Sequence, residues 1–413
     1  MNAFDQELND RLAALRAQGL ERELRRVDSP QSPHVRVNGQ NLLNFSSNDY
    51  LGLANDPALK AAAIQAIERF GTGTGASRLV CGSLAVHHEL EEALAAFKGL
   101  PAALTFSTGY ATALGTICAL LGSDDVIVLD KLVHASIVDA ARLCGAKLRV
   151  FAHNDLNDLE RILQWTARRS GNTISAPARK SRTLIVTESV FSMDGDQAPL
   201  RELVELKDHY GAWLMVDEAH ATGLFGAHGR GLAEELGVSE RLEIQMGTLG
   251  KALGAAGGYV CGSRPLVDFL VNRARSFIFS TAPVPAAAAA ATAGIRLAQS
   301  AEGEQRRARL WQLLAQLLPH LTAQPGRPKS AILPLVIGDE TQAVQAAACL
   351  REHHIFIPAI RYPTVARGAA RLRLTLTAAH SSADLEELLA VLQALQLTPR
   401  TPRLAVSPHA PAG

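Results

Sequence analysis

Aromatic residues make up only 5% of this 413-residue chain, which argues against the stacking platforms that single-stranded nucleic acids require. Neither sign of charge is in excess. Lys plus Arg number 41 against 40 Asp plus Glu, a net of +1, so no nucleic-acid partner is implied. The five cysteines (Cys81, Cys118, Cys144, Cys261, Cys349) form no C-x-x-C pair and their number is odd. They read as free thiols in a reducing compartment, the cytoplasm, rather than as a disulfide framework. No H-x-x-x-H spacing exists, and no metal site is expected. The longest low-polarity run, "TAPVPAAAAAATAGI", is alanine with two prolines, too weakly apolar for a membrane span. The N-terminal stretch "MNAFDQELNDRLAALRAQGLERELRR" carries charges throughout and is not read as a secretory signal.

What remains is ordinary globular material, 47% apolar and 20% charged, long enough for two or more domains. Residues 1–30 read as an amphipathic helix, and "HVRVNGQNLLNF" as two strands around an Asn-Gly turn. Residues 1–56 form this N-terminal segment. From 57 to 290 helices alternate with short apolar runs: "ALTF", "DVIVLD", "KLRVF", "TLIVTESV", "AWLMVDEA" and "GGYVCG". Such runs indicate strands covered on both faces, hence an α/β domain with a large, mostly parallel sheet. The polar stretch 170–182 is a surface loop. Residues 291–398 read as a smaller α+β domain containing the strands "SAILPLVIG", "IFIPAI" and "RLRLTLT". The tail, 399–413, reads as disordered.

One lysine stands out. "GTLGKALGAAGGYV" places Lys251 as the only charged residue among glycines, alanines and apolar residues, where an unpaired ammonium is costly and its pKa falls readily. It is not a Walker A lysine, because Gln245 occupies the first glycine position and Ala252 follows the lysine. A structural ion-pair lysine and a reactive amine both remain open. The strand "AWLMVDEAH" delivers Asp217 and His220 to its C-terminal end, where open α/β sheets place ligands. "ALTFSTGYATALGTICALL" runs from a strand into a helix beginning near Gly109, a natural phosphate seat. His134 follows another strand end, and "ESVFSMDGD" supplies Ser192 at a tight turn. A lysine, a strand-end acid and a phosphate seat are what pyridoxal phosphate needs.

Several longer stretches, "NFSSNDYLGL" (44–53), "GTGTGASRLVCGSLAVHHELEEALAAFKG" (71–99), "FSMDGD", "DEAH" and "GTLGKALGAAGGYV", closely resemble the α-oxoamine synthases. These are pyridoxal phosphate enzymes of the aspartate-aminotransferase-like fold (fold type I). The resemblance spans about 20–397. "SSNDYLGL", "FSTAP" and "IRYPTVARGAARLRLTLTAAH" look most like the branch that condenses L-alanine with a pimeloyl thioester, of coenzyme A or acyl carrier protein, in biotin biosynthesis. Glycine C-acetyltransferase is the neighbouring alternative. The resemblance implies a homodimer and a set of roles. Lys251 is the Schiff-base lysine, Asp217 partners the pyridinium nitrogen, His220 contacts the ring oxygen, and His134 stacks on the ring while also touching substrate. Gly109, Tyr110 and Thr248 hold the phosphate, and Ser192 lies near the ring. Ser280 and Thr281 reach the phosphate, either of the neighbouring subunit or of their own. Arg361 and Thr364 bind substrate together with an N-terminal arginine, Arg22 or Arg25. Where the family has "DEAHGTG" this chain has Ala221 in place of the first glycine.

Overall fold

The computed structural model describes residues 2–170, 181–321 and 328–397. The expected tail at 399–413, and all but the ends of the expected loop at 170–182, lie outside them. The N-terminal helix is shorter than the charge pattern predicts. It covers Ala3–Ala17, is capped by the Asn2 side chain, and buries none of its residues. The chain turns out of it at Gly19, whose φ of 65° suits glycine. Strands β1 (His34–Val37) and β2 (Gln40–Asn44) form the expected antiparallel hairpin. Asn38 and Gly39 at its tip have φ of 49° and 82°, the doubly positive turn that Asn-Gly favours.

Seven strands build the main sheet: β3 (Ala102–Phe106), β4 (Val126–Asp130), β5 (Lys147–Phe151), β6 (Thr183–Glu188), β7 (Trp213–Asp217), β8 (Ile244–Thr248) and β9 (Gly258–Gly262). Their order is β3-β9-β8-β7-β6-β4-β5. Only β9 runs against its neighbours; the contacts among β8, β7, β6, β4 and β5 are parallel. Successive side chains of β7 enter opposite cores, Leu214 and Val216 on one face and Met215 on the other. That is why these strands read as unbroken apolar runs. Helices cover both faces, and the parallel strands end together at one edge.

A second sheet is antiparallel: β10 (Ile332–Gly338) pairs with β13 (Ala370–Thr375), which also pairs with β12 (Ala359–Ile360). The short β11 (Ile355–Phe356) runs parallel to β2 instead. "IFIPAI", one strand in the sequence reading, is therefore two strands in two sheets. Pro358 lies between them, and a residue without an N–H cannot continue a ladder. The N-terminal hairpin is thus stitched to the C-terminal part of the chain, and Thr375 N donates to Phe45 O at 2.8 Å. Among the described residues no helix is long and apolar enough to cross a membrane.

Candidate active site at the strand ends

At the C-terminal edge of the main sheet lies a cavity of about 200 Å³. Gly109, Tyr110, His134, Glu188, Asp217, His220, Thr248 and Lys251 all line it. Gly109 and Tyr110 open the helix Gly109–Leu120, whose cap residue Thr108 accepts from Ala111 N. First-turn amides have no acceptor within a helix, and here they border the cavity. The helix start sits close against β9: a Cβ on Gly258 would come within 2.7 Å of Gly109 backbone atoms. His134 caps the next helix, Ala135–Leu143, and its Nδ1 lies 2.8 Å from Ser136 Oγ. Thr248 Oγ1 donates to Gly257 O at 2.9 Å and accepts from Gly250 N at 3.2 Å, shaping the turn that carries Lys251.

The charged groups are close together, with Glu188, Asp217 and His220 buried and Lys251 half-buried. Burial pushes the Lys251 amine down to about 8, against the pull of Asp217 and Glu188. Asp217 is raised by burial, opposed chiefly by Lys251, and its Oδ1 accepts from Ala219 N at 2.9 Å. Burial, reinforced by Asp217, pushes Glu188 up to about 8. Burial lowers His134, and it holds His220 well below the ordinary histidine value. His220 is therefore neutral, and its neighbours fix its tautomer. Its Nδ1 is 2.7 Å from Tyr50 Oη, which donates to Asn48 Oδ1 at 3.2 Å. Nδ1 then carries the proton, and Nε2 accepts from Lys251 Nζ at 2.8 Å. Glu218 turns away from the cavity, paired to the buried Lys98; neighbouring acids at a strand end face opposite sides.

Other predicted site residues lie elsewhere. Ser192 sits behind the cavity: its N donates to Glu188 Oε2 at 3.1 Å and its carbonyl accepts from Arg373 Nε at 2.6 Å. Ser280 and Thr281 are not among the residues lining the cavity; Thr281 bridges to Ser77, next to the exposed Phe279. Arg22, Arg25, Arg361 and Thr364 meet around a second cavity of about 390 Å³. There Arg22 Nη2 donates to Thr364 Oγ1 at 3.4 Å, and Arg361 Nη2 donates to the Glu21 carbonyl. Arg361 is lowered by burial and by the two facing arginines, and its Nε has no partner.

The sequence reading missed Glu188, Tyr50, Asn48 and Arg373. One signal was available for the last: arginines at 371 and 373 interrupt an otherwise apolar strand, and both are buried. Among the described residues no group of three or more His, Cys, Asp or Glu is placed to hold a metal ion.

Known proteins share this arrangement over nearly its full length. The protein named 8-amino-7-oxononanoate synthase from Anaeromyxobacter sp. (strain K) is 49% identical over 95% of this chain and 97% of its own. Its namesake from Geobacter sulfurreducens is 47% identical over 92% and 95%. Among solved structures, serine palmitoyltransferase of Sphingomonas wittichii is 33% identical and superposes with a TM-score of 0.85, covering 96% of this chain and 98% of that one. Another serine palmitoyltransferase with the same score carries pyridoxal phosphate (PLP). The 8-amino-7-oxononanoate synthase of Francisella tularensis gives 0.70 at 27% identity, covering 86% and 98%. The family model for class I and II aminotransferases matches residues 40–392. By sequence and by architecture alike, the chain belongs to the class I and II aminotransferase family, alongside the 8-amino-7-oxononanoate synthases.

Proposed function

We propose that this protein is a PLP-dependent acyltransferase of biotin biosynthesis. It condenses L-alanine with a pimeloyl thioester to give 8-amino-7-oxononanoate, carbon dioxide and the free thiol carrier. The observation that carries the reading is the Lys251 amine, lowered to about 8 by burial in a cavity beside Asp217 and His220, in a chain 44–51% identical to proteins of that name.

The residues present fit the cofactor. The first-turn amides at Gly109 and Tyr110, with Thr248, suit its phosphate, Asp217 suits a protonated ring nitrogen, and Lys251 suits its aldehyde. Bound there, PLP supplies a carbonyl for the amino acid's amine and a ring that takes up the electron pair released at Cα.

In this reading Lys251 Nζ removes the alanine Cα proton, and a pKa near 8 leaves about half of the amine unprotonated at that pH. His220 Nε2 accepts from Nζ and so orients it. Asp217 keeps the proton on the ring nitrogen by electrostatic attraction. Arg361 and Arg22, with Thr364, hold carboxylate groups of the substrates, and the lack of an acidic side-chain partner on Arg361 supports this. A second copy of the chain brings Ser280 and Thr281 to the partner's phosphate, which their absence from the lining of their own cavity favours.

Product identification tests the activity. With PLP and pimeloyl-coenzyme A, mass spectrometry should find 8-amino-7-oxononanoate from alanine, and far less product from glycine or serine. Because serine palmitoyltransferases superpose so well, serine with palmitoyl-coenzyme A belongs in the panel; preferential turnover of that pair would overturn the reading. The shared site is tested by co-expressing Lys251→Ala with a Ser280→Ala, Thr281→Ala double variant. Activity restored in hybrid dimers supports sharing, and hybrids without activity refute it.

A further inference from the structure

Glu188 ends β6 directly beside Asp217 of β7, the two being paired in register. It is 2% exposed and lines the Lys251 cavity. One oxygen, Oε2, accepts from Ser192 N at 3.1 Å; the other, Oε1, is buried with no hydrogen-bond partner among the described residues. The Ser192 segment is itself held by Arg373, whose Nη2 is also unpartnered. Two adjacent buried carboxyls facing a single amine cannot both ionise without severe repulsion. A buried oxygen left empty at a cavity wall is costly until a ligand meets it.

We propose that Glu188 is a ligand-binding residue that keeps its own proton: a neutral acid whose Oε1 hydroxyl donates a hydrogen bond to an oxygen acceptor of the molecule in the Lys251 cavity, leaving Asp217 as the carboxyl that carries negative charge. The identity of that molecule as PLP rests on the functional reading above; the protonation state does not. The groups facing Glu188 are Asp217 from β7, Lys251 from the turn after β8, and the backbone at Ser192 and His134. Burial and Asp217 both favour the neutral form, and Lys251, the Ser192 N–H and the nearby His134 backbone oppose it. Of the two carboxyls, Asp217 is the better placed to ionise: its Oδ1 accepts from Ala219 N at 2.9 Å, whereas Glu188 Oε1 lacks a partner and Asp217 is the charge that raises Glu188.

The test uses the full-length chain and two readouts. The first is thermal unfolding without added cofactor, for wild type and Glu188→Gln, from pH 5 to 9. A carboxyl raised from 4.5 to about 8 in the folded state contributes stability that is present below 4.5 and lost as pH rises through 8. Glutamine mimics the neutral acid and does not titrate. The wild-type midpoint should therefore fall against that of Glu188→Gln by about 2 °C or more between pH 5 and 8. A pH-independent difference would overturn the proposal. The second readout is PLP binding at pH 7, followed by absorbance. Glu188→Gln should stay within about threefold of wild-type affinity, while Glu188→Ala should weaken binding about tenfold. A Gln variant as weak as the Ala variant would mean that the carboxylate charge is required, and would refute the neutral acid. If the wild-type chain binds no PLP, the functional reading fails and the unfolding comparison still decides the state of Glu188.

Discussion

The two cavities differ in how their charge is held. Around Lys251, an amine and two carboxyls are set by the ends of β6 and β7 and the turn after β8, with His220 locked through Tyr50 to Asn48. Around Arg361, four arginines (Arg22, Arg25, Arg351 and Arg361) outnumber two glutamates (Glu21 and Glu23), and the contact at Arg361 is to a backbone carbonyl of the N-terminal segment rather than to a side-chain acid. The first cavity balances its own charges, which suits proton transfer at fixed geometry. The second leaves positive charge unbalanced, which suits capture of an anion. One sheet edge builds the first, whereas the second is assembled from the chain following the N-terminal helix, the helix Glu340–Glu352 and the segment around β11 and β12.

This contrast predicts that damage to the first cavity removes turnover and damage to the second removes substrate affinity. Lys251→Ala should have the largest effect, lowering kcat by about 10³-fold or more while PLP still binds, because the proton-transferring amine is gone. Borohydride reduction of the wild-type protein should fix the cofactor on the Lys251 peptide; labelling of another lysine would break the assignment. Asp217→Asn comes next, at about 10²- to 10³-fold in kcat, and should cost much more than His220→Asn. Near-normal exchange of the alanine α-proton in Asp217→Asn would remove its electrostatic role.

In the second cavity the effects should shift to KM. Arg361→Lys should raise the alanine KM about tenfold, since lysine cannot reproduce a bidentate fork, with cofactor absorbance intact. An unchanged saturation curve would take Arg361 out of the substrate site. The smallest effect distinguishes Arg22 from Arg25. Only Arg22 has a described hydrogen bond to Thr364, so Arg22→Ala should raise KM for a substrate several-fold, and Arg25→Ala by about twofold or less. Equal effects would mean that the two arginines act as a shared field rather than as one specific contact.

The same division marks what could be read in advance. Gly109, His134, Asp217, His220, Thr248 and Lys251 come together in one cavity as the motifs imply, because each lies at or just beyond the end of a strand or at a helix start bordering that edge. For all of them but Thr248, which only the family resemblance named, local patterning was enough: apolar runs define the strands, and their shared direction brings their ends together. The residues that tune the cavity were not legible from the motifs. Tyr50 meets His220 across 170 residues, and Arg373 meets Asn48 across 325. Such pairs are chosen by which distant segments pack against each other, and no local period records that.

The sequence by itself determined the α/β architecture, the Asn-Gly hairpin and the position of the buried-site lysine. These depend on short-range rules, namely burial of apolar runs on both faces of a sheet, turns that need positive φ, and the cost of a lysine among apolar neighbours. Tertiary structure alone decided that "IFIPAI" splits between two sheets, that the N-terminal helix ends at Ala17, and that Glu188 faces the cavity while Glu218 turns to Lys98. Each of these depends on which distant group is available to accept a hydrogen bond, cover an apolar face or neutralise a buried charge. Only the folded chain sets those distances.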